Sequence, residues 1–137
     1  MDSCSKDYSD LLEQVNSGAF FGPSSGVKVT AIRQYEAEGV LEVRKDTYNP
    51  LGVIHGGALF TLADTVTGTA AYTIGNRPCV TLDSSMQFLA AARGDRIHCL
   101  AKPKKLGRTI VVYDVTLTDG EERLVASGTF TFFVKQT

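Results

Sequence analysis

At 137 residues, with 43% hydrophobic and 21% charged residues, the chain is long enough for one packed core and too short for two ordinary domains. This composition excludes a disordered or membrane-spanning chain, and a formal net charge of −1 gives no general electrostatic pull toward nucleic acid or an anionic membrane surface. Cys4, Cys79 and Cys99 are odd in number, lack Cys-x-x-Cys spacing and have only His55 and His98 as companions, so neither a disulfide framework nor a metal site is expected.

Tyr8, Leu11, Leu12 and Val15 fall at i, i+3, i+4 and i+7, with Ser5 placed to cap the start and Gly18 the end. This spacing predicts a short amphipathic helix over about residues 6–16. The N-terminus has no basic flank followed by an apolar run, so it does not read as a signal peptide, and a cytoplasmic protein is expected. Residues 18–26 read as a loop in which Phe20 and Phe21 either plug a satellite core or form a substrate wall. Val27–Tyr35 and Val40–Lys45 read as strands joined by a turn at Glu36-Ala37-Glu38-Gly39.

A central helix follows. Leu59, Leu62, Ala63, Val66 and Ala70 make one apolar stripe over about three turns. Asp64 lies off that stripe among Phe60, Thr61, Thr65, Gly68 and Ala71, mostly small residues that leave room for a thin substrate or another backbone. Four more strands are expected near 78–89, 95–103, 108–118 and 123–134, rich in β-branched and aromatic residues and separated by Gly, Asp and Pro. Alternation along the first of these points Val80, Leu82, Met86 and Phe88 toward the helix, and Thr81, Asp83, Ser85 and Gln87 toward an interface or cleft. Two strands, a long helix and then a run of strands is an α+β pattern with a mainly antiparallel sheet.

The chemistry concentrates between Asn49 and Asp64. His55-Gly56-Gly57 stands at the mouth of the central helix, where unpaired N–H groups and the positive end of the dipole can receive a carbonyl oxygen that is becoming negative. Taken alone, His55 reads as a capping or loop-stabilising residue and Asp64 as a solvated carboxylate.

Asn49-x-x-Gly52-x-x-His55-Gly56-Gly57, followed by Leu59, Leu62, Ala63 and Asp64, resembles the signature of the hotdog-fold acyl-CoA thioesterases of the phenylacetate-pathway (PaaI-like) type. The resemblance continues through Val80-Thr81-Leu82-Asp83, Phe88-Leu89, Gly94-Asp95, Lys105-x-Gly107-Arg108 and Leu124-Val125-Ala126-x-Gly128, and covers roughly residues 40–134. It implies a curved antiparallel sheet wrapped around the central helix, with residues 1–26 as a lead-in to a hotdog domain over 27–137. It also implies a homodimer or a homotetramer built as a dimer of dimers, with active sites shared between subunits.

By the same resemblance, Asp64 is the general base or nucleophile of thioester hydrolysis, and the Gly57 N–H polarises the thioester carbonyl. The missing side chains of Gly56 and Gly57 permit that approach. Asn49 and His55 hold the thioester and the loop, and Thr81 either helps hold the attacking water or is an ordinary strand residue. Lys104, Lys105 and Arg108 around Gly107 suit the phosphates of coenzyme A, which enters as part of the substrate, so no separate cofactor is expected. A non-catalytic acyl-CoA-binding module and an acyl-thioester hydratase or dehydratase stand as alternatives. The sequence does not choose between aromatic and aliphatic acyl groups.

Overall fold

The computed structural model describes residues 7–136. Helix α1 (Ser9–Val15) and a one-turn helix α2 (Phe21–Ser24) lead into strands β1 (Val27–Arg33) and β2 (Glu36–Glu42). A 3₁₀ turn at Lys45–Thr47 precedes the long helix α3 (Gly56–Tyr72). Strands β3 (Cys79–Phe88), β4 (Arg96–Leu106), β5 (Ile110–Thr118) and β6 (Leu124–Val134) complete the chain. All pairings are antiparallel, in the order β1-β2-β4-β5-β6-β3, and α3 packs against all six strands.

Leu59, Leu62, Ala63, Val66 and Ala70 are all buried under the sheet. Opposite them lie Leu41, Ile97, Val115, Phe130 and Phe132, so the predicted stripe is the helix side of the core. The capping role expected of Ser5 lies outside the described residues. In the described part, the first turn of α1 is held by Asp7, whose carboxylate accepts from the Ser9 N–H at 2.9 Å. The stretch expected to be loop contains α2, whose buried Gly22 sits so close to α3 that a Cβ there would meet Thr65 Oγ1 at 3.1 Å.

Two details differ from the sequence reading. The β1–β2 turn falls at Gln34-Tyr35, not at 36–39, because Arg33 already pairs with Glu36. Tyr35 takes the left-handed conformation at φ 74, and its N–H donates to Thr73 Oγ1 at 2.7 Å, which ties the turn to the end of α3. Gly39 is therefore a strand residue. A Cβ there would lie 2.6 Å from Val66 Cγ2 and 2.9 Å from the Lys28 carbonyl oxygen, so it is glycine for packing and not for turning.

The second difference concerns β3. A register shift between Thr81 and Asp83 advances the alternation by one, so Cys79 and Thr81 face α3 while Val80 and Leu82 are 45% and 55% exposed. Met86, beyond the shift, packs against the core as expected. β3 is also an outer strand of the sheet, leaving its far edge unpaired along ten residues.

The Gly39 contact yields a paired expectation. Gly39→Ala should destabilise the protein by about 1–3 kcal/mol, because backbone and Val66 must both give way. Gly68→Ala, whose Cβ would meet only Phe132 at an ordinary 3.8 Å, should be neutral or stabilising by up to about 1 kcal/mol through better helix propensity. Equilibrium denaturation of the two variants checks the contrast.

Candidate active site

The mouth of α3 is built by the loop before it. Asn49 Oδ1 accepts from the N–H groups of Leu51 at 2.9 Å and Val53 at 3.1 Å. The Asn49 N–H donates to the Val53 carbonyl and that of Gly52 to the Asn49 carbonyl. Gly52 supplies the left-handed φ of 81 that lets this loop close. A bridge between Tyr48 and Ile54 and a bond from the His55 N–H to the Thr47 carbonyl then fix where the helix begins. In the fold, Asn49 thus organises the loop with its oxygen.

His55 is the N-cap, and its Nδ1 accepts from the Gly57 N–H at 2.8 Å. An imidazole accepting through Nδ1 carries its proton on Nε2 when neutral. This corrects the expectation of a free donor at Gly57: that N–H is already engaged. The Gly56 N–H has no acceptor among the described residues, and Gly56 lines a cleft with Phe88, whose ring a Cβ at Gly56 would meet at 3.5 Å.

Asp64 lies two turns farther along α3, half-buried. Thr81 Oγ1 donates to Asp64 Oδ1 at 2.8 Å, a bond that the shifted alternation of β3 makes possible by turning Thr81 inward. Both residues line a cavity of about 460 Å³. Cys79, on the same wall, is no rival nucleophile: burial, reinforced by the nearby Asp64 charge, pushes its thiol up to about 11. Phe20 lines this cavity too, which favours the substrate-wall reading for it, whereas Phe21 is 75% exposed and lines a separate cleft with His55 and Gly57.

The helix mouth and Asp64 cannot serve one small group from a single chain. Eight residues separate Gly56 from Asp64, about 12 Å at the rise of an α-helix. The two line different cavities.

The basic residues gather on the β4–β5 hairpin. A register shift between Pro103 and Lys105 leaves Lys104 without a cross-strand partner, so the consecutive Lys104 and Lys105 are both exposed. Gly107 donates its N–H to the Ile110 carbonyl at 3.1 Å, in a turn with no room for a Cβ against that same oxygen, and Arg108 follows, exposed. None of Lys104, Lys105 or Arg108 pairs with a carboxylate among the described residues.

Two cations that the sequence reading does not include join this corner. Val134 N–H bonds Thr109, Lys135 N–H bonds Pro78, and Gln136 links the Arg108 carbonyl to Arg77. Arg77 and Lys135 therefore sit beside the hairpin although they are distant in sequence; only strand pairing reveals them. Thr81, Phe132, Val111 and Leu106 form one cross-strand row, which puts the hairpin about 14 Å, three strand spacings, from the Asp64–Thr81 pair.

Gly22-Pro23-Ser24-Ser25-Gly26 spells Gly-x-Ser-x-Gly, but it is not a nucleophile elbow. An elbow is a strand-to-helix turn that bares its serine, whereas Ser24 ends α2 and its hydroxyl donates to the Gly18 carbonyl at 3.0 Å. Among the described residues no three His, Cys, Asp or Glu side chains gather to hold a metal ion, and no helix is long and apolar enough to cross a membrane.

The sequence profile of the Thioesterase superfamily matches residues 51–126. The 1,4-dihydroxy-2-naphthoyl-CoA hydrolase of Escherichia coli (strain K12) is 31% identical over 96 residues, covering 69% of this chain and 71% of that protein. A hypothetical thioesterase of Streptococcus pneumoniae solved with coenzyme A superimposes with a TM-score of 0.79 at 30% identity, over 96% of this chain and 98% of that one. A conserved protein of Pseudomonas aeruginosa gives 0.82 at 30% identity, over 90% and 98% of the two chains. The PaaI protein of the E. coli phenylacetic acid degradation operon, 22% identical over 93% and 91% of the chains, gives 0.82 and shares the fold.

The cap at the helix mouth has a measurable consequence. His55→Ala removes the acceptor for Gly57 and should cost about 1 kcal/mol of stability, while His55→Asn, which restores a side-chain acceptor at the N-cap, should recover most of it. Chemical denaturation of the two variants checks this.

Proposed function

The chain belongs to the thioesterase superfamily and is a thioester hydrolase with the hotdog fold, and on that premise we propose that it cleaves an acyl-CoA to the free acid and coenzyme A with Asp64 at the centre of the chemistry. The observation that carries this reading is the Asp64–Thr81 hydrogen bond on the wall of a cavity large enough for an acyl group. Coenzyme A in the Streptococcus pneumoniae relative and the CoA ester named for the E. coli relative support the substrate class.

A thioester needs little more than an oriented base and a home for the developing oxyanion, because its carbonyl is electrophilic and the thiolate is a good leaving group. Asp64 either takes a proton from water as the water oxygen bonds to the carbonyl carbon, or bonds to that carbon itself, with hydrolysis of the resulting anhydride to follow. In both routes the C–S bond breaks and coenzyme A leaves as thiolate. Thr81 gives its hydroxyl hydrogen to Asp64, which fixes the carboxylate, and its remaining lone pairs can accept from the attacking water. The oxyanion donor in this proposal is the Gly56 N–H, free of an internal acceptor. Gly57 would serve only after His55 turned away.

The 12 Å between these groups on one helix leads to a shared site, with Asp64 of one protomer facing the Gly56 helix mouth of its partner. The unpaired edge of β3, carrying exposed Val80, Leu82 and Phe88, is the surface we assign to that dimer, since strand pairing there would satisfy the edge and cover the apolar side chains. Lys104, Lys105 and Arg108, with Arg77 and Lys135 beside them, are assigned to the phosphates of coenzyme A.

A thiol-release assay over CoA esters tests the core of this reading. Asp64→Asn should lower kcat by at least about 10²-fold with the fold intact, and near-normal turnover would remove Asp64 from the mechanism. Mixing Asp64→Ala with Gly56→Val protein should restore activity after subunit exchange, because one of the two hybrid sites then has both halves intact. Exchange verified by mass without returning activity would place both groups in one chain.

Replacing Lys104, Lys105 and Arg108 together by Ala should raise KM for CoA esters and flatten its salt dependence, with a smaller change in kcat. Short thioesters lacking the nucleotide should be indifferent to the triple change.

A further inference from the structure

Asp64, Gly68 and Tyr72 stand at i, i+4 and i+8 on α3 and so share one face of the helix. The 460 Å³ cavity runs over all three, about 12 Å from the carboxylate to the tyrosine at the helical rise. Gly68 is its floor. With no side chain there, the nearest atom to a Cβ position is the Phe132 ring at 3.8 Å.

The roof is the N-terminal segment, through Leu11, Val15 and Phe20. That segment is fixed at two points. The Asn16 amide both donates to the Val29 carbonyl and accepts from the Val29 N–H, each at 2.8 Å, and Gly22 seats α2 against Thr65.

Two properties of this cavity limit its guest. Among the described residues Asp64 is the only charged side chain lining it, so a second carboxylate at the far end of an acyl group would be desolvated with no cation from those residues to meet it. The cavity also has an end. A separate space of about 250 Å³ begins behind Tyr72, and Tyr72, Leu11 and Gln14 line both, so these side chains form the partition.

Resting on the acyl-CoA hydrolase reading above, we propose that this cavity is the acyl site, that it takes an uncharged acyl group of one ring or a medium-length chain, and that Tyr72 is the specificity-determining residue that sets the length. Beyond Tyr72 the second space is lined by Asp7 and Asp10, a polar setting that an apolar tail enters only when the tyrosine is trimmed.

The experiment compares acetyl-, octanoyl-, palmitoyl-, phenylacetyl- and succinyl-CoA as substrates for the full-length wild type, Gly68→Leu and Tyr72→Ala, all shown folded by circular dichroism. Binding of the corresponding S-alkyl-CoA thioethers, which are not hydrolysed, is measured by calorimetry in parallel. Wild type should prefer octanoyl or phenylacetyl over acetyl, palmitoyl and succinyl by at least about tenfold in kcat/KM, and the better of those two identifies chain or ring. Gly68→Leu should lose that preference by about tenfold or more by filling the floor. Tyr72→Ala should raise palmitoyl relative to octanoyl by a similar factor, with the same reordering in thioether Kd.

Hydrolysis whose length profile is the same in all three proteins would overturn the acyl-site assignment while leaving the hydrolase reading standing. Thioether binding that follows the expected length order in a protein that hydrolyses none of the esters would do the reverse, upholding the cavity and Tyr72 and removing the reaction.

Discussion

One helix has to fill the inner side of a six-stranded sheet, and the rest of the structure follows from how closely it does so. α3 reaches all six strands, and its approach to β2 is close enough that Gly39 has no room for a methyl group beside Val66. Ala63, Ala70 and Ala71 are fully buried on the same helix, so the contact is made largely with small side chains and backbone. A helix committed to the core along one stripe leaves its flank for other work. That flank carries Asp64, Gly68 and Tyr72.

The same geometry explains why the carboxylate is held as it is. β3 lies at the edge of the sheet, and its register shift turns Thr81 toward α3 at the level of Asp64. Without the shift, the alternation would send that hydroxyl away from the helix and bring Val80 and Leu82 in. The shift therefore serves two purposes: it orients the carboxylate, and it leaves apolar side chains on an unpaired strand edge, an arrangement that invites a second chain. In the proposed dimer, catalytic geometry and assembly would be coupled through this one irregularity in one strand.

A long helix also separates what chemistry must bring together. The proposed reaction needs the N–H groups of its mouth and the carboxylate two turns on near one thioester, yet a rigid helix holds them about 12 Å apart. In the proposed dimer, association of two such helices would resolve this by supplying one group from each. The engagement of Gly57 by His55 narrows the open donor to Gly56, so a residue that shapes the helix entrance also selects which backbone group is free.

Local patterns made much of this legible. The apolar stripe of α3 is a 3.6-residue periodicity, and it sits in the core as read; the strands from β3 onward fall within a few residues of their expected spans because β-branched runs and turn residues bound them locally. Asp64 stands off the stripe among small residues, but taken alone it reads as a solvated carboxylate, and only the resemblance to the hotdog thioesterases singles it out. The turn after β1, the phase of β3, the occupied N–H of Gly57 and the addition of Arg77 and Lys135 to the basic corner were not legible, since each depends on contacts between segments far apart in the chain. Gly39 shows the limit most directly. A glycine after Glu-Ala-Glu has the local chemistry of a turn, yet it pairs with Val29 and Cys99 as a strand residue, and only the approach of Val66 from a helix more than twenty residues later explains why it is glycine. Sequence by itself determined which elements form, because those follow from local periodicity and residue type, and its family resemblance pointed to the side chains proposed for the chemistry; the tertiary structure decided which groups face one another, because that depends on how the helix and the sheet share one core.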